Sequence, residues 1–247
     1  MSNKFTHLTY LSSSLRGLLI AFILLCAWVL TLHRASAAQE DFAQKYQAYQ
    51  QVVREGKAAL DRKDYQAAID KYTKAIEASP FVASHYFDRG VASYRKGDGK
   101  KAEEDLSKAI ILDPRLAAAY TYRGLVRMKG GDQEGALKDY TTALGLNPRD
   151  PSVHNNLAWL YATAKDEKLQ DRVKALEHAV RAVEMTKEKN AGVLDTLARA
   201  YFINDKKAEA IETEKKAIEL EPENKVFKEN LAFYERESKP EPKTNLF

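Results

Sequence analysis

Small residues and prolines recur in this chain every 34 residues, and this period constrains the fold more than any other feature. Three complete sets of one glycine, two alanines and one proline share the spacing: Gly56, Ala68, Ala75 and Pro80; Gly90, Ala102, Ala109 and Pro114; Gly124, Ala136, Ala143 and Pro148. Such a period is typical of a helix–turn–helix unit that cannot bury its own apolar face and must stack on a copy. The period therefore predicts an elongated all-α solenoid.

The recurring residues have physical roles that agree with this prediction. Small side chains at three points of each repeat allow the two helices of a unit, and the first helix of the next unit, to approach closely. Larger apolar residues fill the gaps between the helices. The terminal proline ends the second helix because it lacks a backbone N–H and has a fixed φ.

The period also divides the chain, because it holds in some segments and slips in others. In the fourth repeat the second helix is delayed by about five residues in the charged stretch 165–172, which we interpret as a longer turn. The last helical segment has no partner helix and carries many charges, as is typical of a cap. The predicted segments are a lead-in (39–48), five repeats (49–82, 83–116, 117–150, 151–190 and 191–223), a capping helix (224–239) and a disordered tail (240–247).

The first 38 residues are interpreted as an export segment. Basic Lys4 and Arg16 precede an apolar stretch over residues 17–32, and small residues follow at 35–38 with an Ala-x-Ala pattern that ends at Ala37. Sixteen apolar residues are short for a membrane span, which needs about 20, so a signal peptide cleaved after Ala37 is favoured. The alternative is an uncleaved membrane tether through residues 17–32. Both interpretations place the rest of the chain outside the cytoplasm, in the periplasm.

The charge balance argues against a nucleic-acid partner. The chain has 39 basic and 35 acidic residues, and three of the basic residues lie in the export segment. Without them, 36 basic residues face 35 acidic ones, a net charge near +1. A nucleic-acid-binding surface requires a marked positive excess, so this class is excluded.

The sequence contains no pattern that indicates catalysis, a cofactor or a metal. The single cysteine, Cys26, lies in the export segment, so the mature chain has no thiol. The histidines of the mature chain, His85, His154 and His178, are not related by the repeat spacing and are interpreted as exposed or capping residues. The stretch 97–100 (Gly-Asp-Gly-Lys) resembles a phosphate-binding loop only faintly, and we interpret it as a turn between helices. The protein is therefore not expected to be an enzyme.

The repeating residues resemble those of the tetratricopeptide repeat family, over residues from about 41 to 238. The resemblance implies a right-handed α-solenoid of about five repeats with a C-terminal capping helix. It also implies a binding scaffold whose first helices line a concave groove, and it narrows the function no further. Within two of the repeats, Arg89 stands opposite Asp105 and Arg123 opposite Asp139, which suggests a pair between the two helices of each unit.

The family's groove positions identify the candidate binding residues of this chain. They carry aromatic and basic side chains, which suit an extended or helical peptide with apolar anchors and some acidic character. The alternative is that some of the aromatic residues only pack between adjacent first helices. The candidates are Lys57, Phe87, Tyr94, Arg95, Tyr122, Met128, Lys129, Asn155, Trp159, Arg199 and Phe202.

The kind of partner is constrained only in part. One subgroup of the family clamps a C-terminal carboxylate with a lysine and an asparagine of its first repeat, and here those positions hold Val53 and Lys57. That form of recognition is therefore not expected. The resemblance and the export segment together predict a partner protein of the cell envelope, bound during assembly of an envelope complex. The alternative is a structural scaffold that forms homo-oligomers.

Overall fold

A computed structural model describes residues 13–239, with side chains from residue 18 onward. The basic residue Lys4 and the segment 240–247, for which a disordered tail is predicted, lie outside the described residues, as does the side chain of Arg16. The chain divides into two units, Met1–Glu55 and Gly56–Phe247.

The first helix, α1 (Ser13–Asp61), contains the apolar stretch of the export segment. Its side chains are exposed from residue 18 to residue 48, and an 18-residue window reaches a mean hydropathy of 2.1. By length and composition this helix can cross a membrane, and a signal sequence has the same properties. The lead-in predicted at residues 39–48 is not a separate element, because α1 continues through it without a break.

The second unit is built from consecutive helix pairs, and the part of the chain that the structure describes contains no strand. A short 3₁₀ helix, Glu167–Leu169, lies between α7 and α8, within the stretch where the longer turn is predicted. The helices are α2 (Tyr65–Ala78), α3 (Ala83–Lys96), α4 (Gly99–Leu112), α5 (Ala117–Gly130), α6 (Gln133–Leu146), α7 (Pro151–Thr163), α8 (Arg172–Thr186), α9 (Ala191–Ile203), α10 (Lys207–Leu220) and α11 (Lys225–Glu237). The predicted α-solenoid is confirmed.

The recurring small residues are the points of closest contact between these helices. All six recurring alanines, from Ala68 to Ala143, are completely buried. At Gly124 a β-carbon would lie 2.5 Å from a ring carbon of Tyr140, so only glycine fits unless that ring moves. The period in the sequence therefore reflects a packing requirement that each unit repeats.

The turns between the two helices of the first three units repeat one capping residue. Asp64, Asp98 and Asp132 are 34 residues apart, and each accepts a hydrogen bond from a backbone N–H in the first turn of α2, α4 or α6. Gly97 and Gly131 end the preceding helices with φ of 95° and 91°, a conformation that favours glycine. Residues 97 and 98 form the predicted turn, and Gly99 and Lys100 begin α4.

The predicted pairs between the two helices of a unit are also confirmed. Arg89 donates hydrogen bonds to both carboxylate oxygens of Asp105, each at 2.8 Å. Arg89 also donates to the hydroxyl of Thr73 in the preceding unit, at 3.1 Å. Arg123 pairs with Asp139 and reaches Ser107 in the same way. Each arginine thus joins the helices of its own unit and ties that unit to the one before it.

Candidate binding groove

The eleven predicted groove residues lie on α1, α3, α5, α7 and α9, the first helices of the five repeats. Four of them are exposed: Lys57, Arg95, Lys129 and Trp159. The other seven are half-buried: Phe87, Tyr94, Tyr122, Met128, Asn155, Arg199 and Phe202. Whether this surface binds a partner stays a prediction, but the contacts among its residues are defined.

Three of the predicted residues form one group of contacting rings, which we call the aromatic cluster: Phe87, Tyr94 and Tyr122. The ring of Tyr122 on α5 meets Phe87 and Tyr94 of α3 edge to face, with centroids 5.6 and 6.2 Å apart. Edge-to-face contact places the positive edge of one ring against the negative face of another. The rings therefore pack between adjacent first helices, as the alternative interpretation expects, and yet each keeps part of its surface exposed.

Two basic side chains border the aromatic cluster. The ammonium of Lys129 lies 5.9 Å from the centroid of the Tyr94 ring, within the range of a cation–π contact. The Arg95 guanidinium interacts with the Tyr122 side chain, and this interaction raises the pKa of Arg95. Both cations are exposed. The cluster thus offers apolar rings and positive charge at one place.

A cavity of about 420 Å³, which we call the amide pocket, opens beside the cluster between the starts of α5, α7 and α9. Its lining includes the predicted residues Arg95, Tyr122 and Asn155 together with Asn156. Among the described residues, no donor reaches the buried Oδ1 atom of Asn155. An acceptor of this kind costs free energy unless a ligand or water donates to it.

A second cavity of about 430 Å³, which we call the loop-edge pocket, lies on the other side of the cluster. Tyr94 and Lys129 belong to its lining, and Val126 is the buried apolar residue among them. The remaining lining residues are Gly97, Gly99, Lys100, Glu103, Arg127, Gly130 and Asp132. The sequence did not reveal this pocket, because glycine turns gave no signal beyond the turns themselves.

The remaining predicted residues are not brought into the aromatic cluster. Trp159 on α7 is 39% exposed, and Met128 packs in the apolar core between the third and fourth units. Lys57 lies near Asp88. Burial raises the pKa of the Asp88 carboxyl, and the positive charge of Lys57 lowers it.

The ring of Phe202 contacts Phe233 and Tyr234 of the last helix, at centroid distances of 5.2 and 4.8 Å. Phe202 therefore packs against the capping helix, as the alternative interpretation of the groove aromatics allows.

Arg199, the last of the predicted residues, lies beside a buried acid pair that sequence reasoning missed. Glu214 on α10 is fully buried next to Asp195 on α9, which accepts a hydrogen bond from the Asn230 side chain at 2.7 Å. Burial, and then the Asp195 carboxylate, raises the pKa of Glu214 to about 8. The first three repeats hold Tyr72, Leu106 and Tyr140 at the position of Glu214. An acidic residue where the other repeats have a large apolar or aromatic one was the sequence feature that could have indicated this site.

The interpretation of the histidines as exposed or capping residues is wrong. His85 is 4% exposed and His154 is 2% exposed, and His154 contacts the half-buried His178. Their Nδ1 atoms are 2.8 Å apart, and the Nε2 atom of His154 lies 3.2 Å from the carbonyl oxygen of Pro148. Only a protonated Nε2 can donate to that carbonyl, so neutral His154 accepts at Nδ1 and His178 donates. Burial is the main cause that lowers the pKa of His178.

The fold defines the class of the protein as an α-solenoid of stacked helix pairs. Three family models described as tetratricopeptide repeats match residues 53–117, 124–164 and 191–224. The chain therefore belongs to the tetratricopeptide repeat family. No curated protein sequence matches it significantly.

Solved structures are similar to most of the chain. The thermophilic TPR protein TTC0263 of Thermus thermophilus has 22% identity and a TM-score of 0.59, over 76% of this chain and 99% of its own. YrrB, described as a TPR protein with an unusual peptide-binding site, has 19% identity and a TM-score of 0.55, over 72% of this chain and 89% of its own. The Cut9–Hcn1 structure has 16% identity and a TM-score of 0.68, over 80% of this chain and 40% of its own. These likenesses show the fold.

Proposed function

We propose that the protein is a non-enzymatic scaffold that binds a segment of an envelope protein in the groove of its first helices and assists the assembly of an envelope complex. The fold supports the coarser part of this proposal, because tetratricopeptide repeats are protein-interaction modules. YrrB, whose fold is similar, is described as having a peptide-binding site. The proposed groove is supported by the residues of this chain itself.

The observation that carries the proposal is the aromatic cluster with Arg95 and Lys129 at its border. Half-exposed rings that other rings already fix in place lose little conformational freedom when a partner binds, so they suit the centre of an interface. The adjacent amide pocket adds hydrogen-bonding groups for main chain or polar side chains. A preformed surface of this kind binds by shape and charge complementarity.

The apolar helix α1 supports a partner in the cell envelope. By length and hydropathy this helix is compatible with a signal sequence or a membrane tether, and either would bring the repeats to the periplasm. The partner is therefore expected to be a protein exposed on the same side of the membrane.

The proposal is tested by replacing Tyr94, Arg95 and Trp159 together with alanine and comparing the proteins crosslinked to the wild type and to the variant in envelope extracts. Far-ultraviolet circular dichroism verifies that the triple variant stays folded. We expect the main crosslinked products to disappear. An unchanged set of products from a folded variant contradicts the proposed groove.

A further inference from the structure

We infer that the loop-edge pocket receives a large apolar side chain from an acidic segment of the partner, and that this contact anchors the partner at the junction of the second and third repeats. The inference rests on the proposed function, since it names the chemistry of the segment that the groove binds. It adds a second contact region beside the amide pocket, which shares Tyr94 and Lys129 with the predicted groove residues and extends to the start of α4.

The pocket is open because three glycines border it. A β-carbon on Gly97 or Gly130 would meet nothing within 4 Å, and one on Gly99 would meet only a methyl group of Val126, at 3.9 Å. The Tyr94 ring and Val126 provide apolar contact surface inside. A volume of about 430 Å³ lies at the lower end of the range of ligand sites, roughly 300–1,000 Å³, and is enough for one large side chain and its neighbours.

The charges at the rim select an acidic partner. Arg127 lies 2.8 Å from the Glu103 carboxylate and 3.7 Å from that of Asp132. With Lys100 and Lys129 the lining has three cations and two carboxylates, a net charge of +1. Among the described residues, Lys100 and Lys129 form no ion pair, and both are exposed. Two cations beside an apolar opening complement an apolar residue that is flanked by carboxylates.

The repeat itself does not require these features, which argues that they serve binding rather than folding. One repeat later, the positions of Gly99, Lys100 and Lys129 hold Gln133, Glu134 and Thr163. The next junction also has the longer turn with the 3₁₀ helix Glu167–Leu169, and of the two junctions only the first has Gly99 and the two lysines. Both lysines are exposed, and Lys129 contacts the Tyr94 ring that lines the pocket.

The probe for this inference is a phage-displayed library of random 12-residue peptides, selected on the immobilised full chain. We expect enrichment of acidic peptides that contain a large apolar residue. A synthetic peptide of the enriched consensus is then measured by fluorescence anisotropy against three variants. Gly99→Phe fills the pocket, Lys100→Glu with Lys129→Glu reverses the rim charge, and Gly145→Phe adds the same side chain at an exposed position with nothing within 4 Å.

We expect Gly99→Phe and the double lysine variant each to weaken binding at least tenfold, while Gly145→Phe binds as the wild type does. The double variant changes only exposed residues, so it tests the site even if Gly99→Phe alters the fold. Wild-type affinity in a folded Gly99→Phe and in the double variant overturns the inference. If the triple groove variant abolishes binding at the same time, the proposed function stands without it. Failure of the wild type to enrich any peptide contradicts both.

Discussion

Arg123 donates two parallel hydrogen bonds to the carboxylate of Asp139, from Nε at 2.9 Å and from Nη2 at 2.7 Å. This carboxylate is 2% exposed. Arg127 donates to the same carboxylate at 2.9 Å. One buried carboxylate thus accepts hydrogen bonds from two guanidinium groups of α5 and links this helix to α6. The solenoid has an electrostatic contact at its centre in addition to its apolar packing.

Replacing Asp139 with alanine leaves both arginines without this partner. Because removal of one member of a buried ion pair leaves uncompensated charge, we expect the free energy of unfolding to fall by about 3–5 kcal/mol. Urea denaturation followed by circular dichroism measures this change. The control is Glu177→Ala in the pair with Arg181, where both side chains are 50% exposed and the expected loss is about 0–1 kcal/mol. Equal losses in the two variants would contradict the assigned role of Asp139.

Glu214 makes the stability depend on pH in the direction opposite to ordinary acid denaturation. Its pKa is about 8 in the folded chain and 4.5 for the free group, so between these values the folded state holds a proton that the unfolded state releases. The free energy of unfolding therefore decreases as pH rises from about 4.5 to 8, by up to about 1.4 kcal/mol per pH unit.

The variant Glu214→Leu tests this account, because it restores the residue type that Leu106 provides at the same register. We expect a flatter pH profile between 5 and 8 and greater stability than the wild type at pH 8. Denaturation curves at a series of pH values provide the measurement. A variant that keeps the full wild-type slope would show that Glu214 is not its source.

His178 is expected to titrate below the value of a free histidine. Its pKa is lowered chiefly by burial and then by the charge of His154, so the unfolded state binds its proton more readily. Stability from this group is present above pH 6.5 and is lost as pH falls below it. Proton NMR of the imidazole ring measures the midpoint directly, with His178→Gln to assign the signal. A midpoint at or above 6.5 is incompatible with the buried pair.

Alanine substitutions at two glycines of α5 distinguish the effect of close packing from the effect of backbone entropy. Gly124→Ala places a methyl group against the Tyr140 ring and is expected to cost about 1–3 kcal/mol. Gly130→Ala in the same helix meets nothing within 4 Å, and the lower entropy of the unfolded chain should stabilise it by about 0.5–1 kcal/mol. Melting temperatures that shift in opposite directions bear out the packing account, and shifts of the same sign count against it.

The sequence predicted the helix pairs well because one physical requirement repeats along the chain. Close helix contact needs a small residue at fixed intervals, so Gly124 and its equivalents mark the register without any knowledge of the fold. The Arg123–Asp139 pair was found in the same way, since its members recur 34 residues after Arg89 and Asp105. Contacts that obey the period can be read from it.

Contacts that do not obey the period were missed. His154 and His178 are 24 residues apart, a separation that belongs to the stretched fourth repeat alone, so no other unit has a counterpart. The acid pair of Asp195 and Glu214 was missed because the first three repeats hold Tyr72, Leu106 and Tyr140 at the position of Glu214. The loop-edge pocket is open because the glycines at its border have no side chains. This space is visible only when the helices are packed together in the structure.

The central claim, that the first helices bind a partner, is tested most directly by photocrosslinking in living cells. A benzoylphenylalanine residue is placed at Trp159 in the predicted groove or, as the matched control, at Ile111 on α4, which is 71% exposed. We predict a specific adduct from position 159 and none from position 111. The same adducts from both positions, or an adduct from position 111 alone, would contradict the claim.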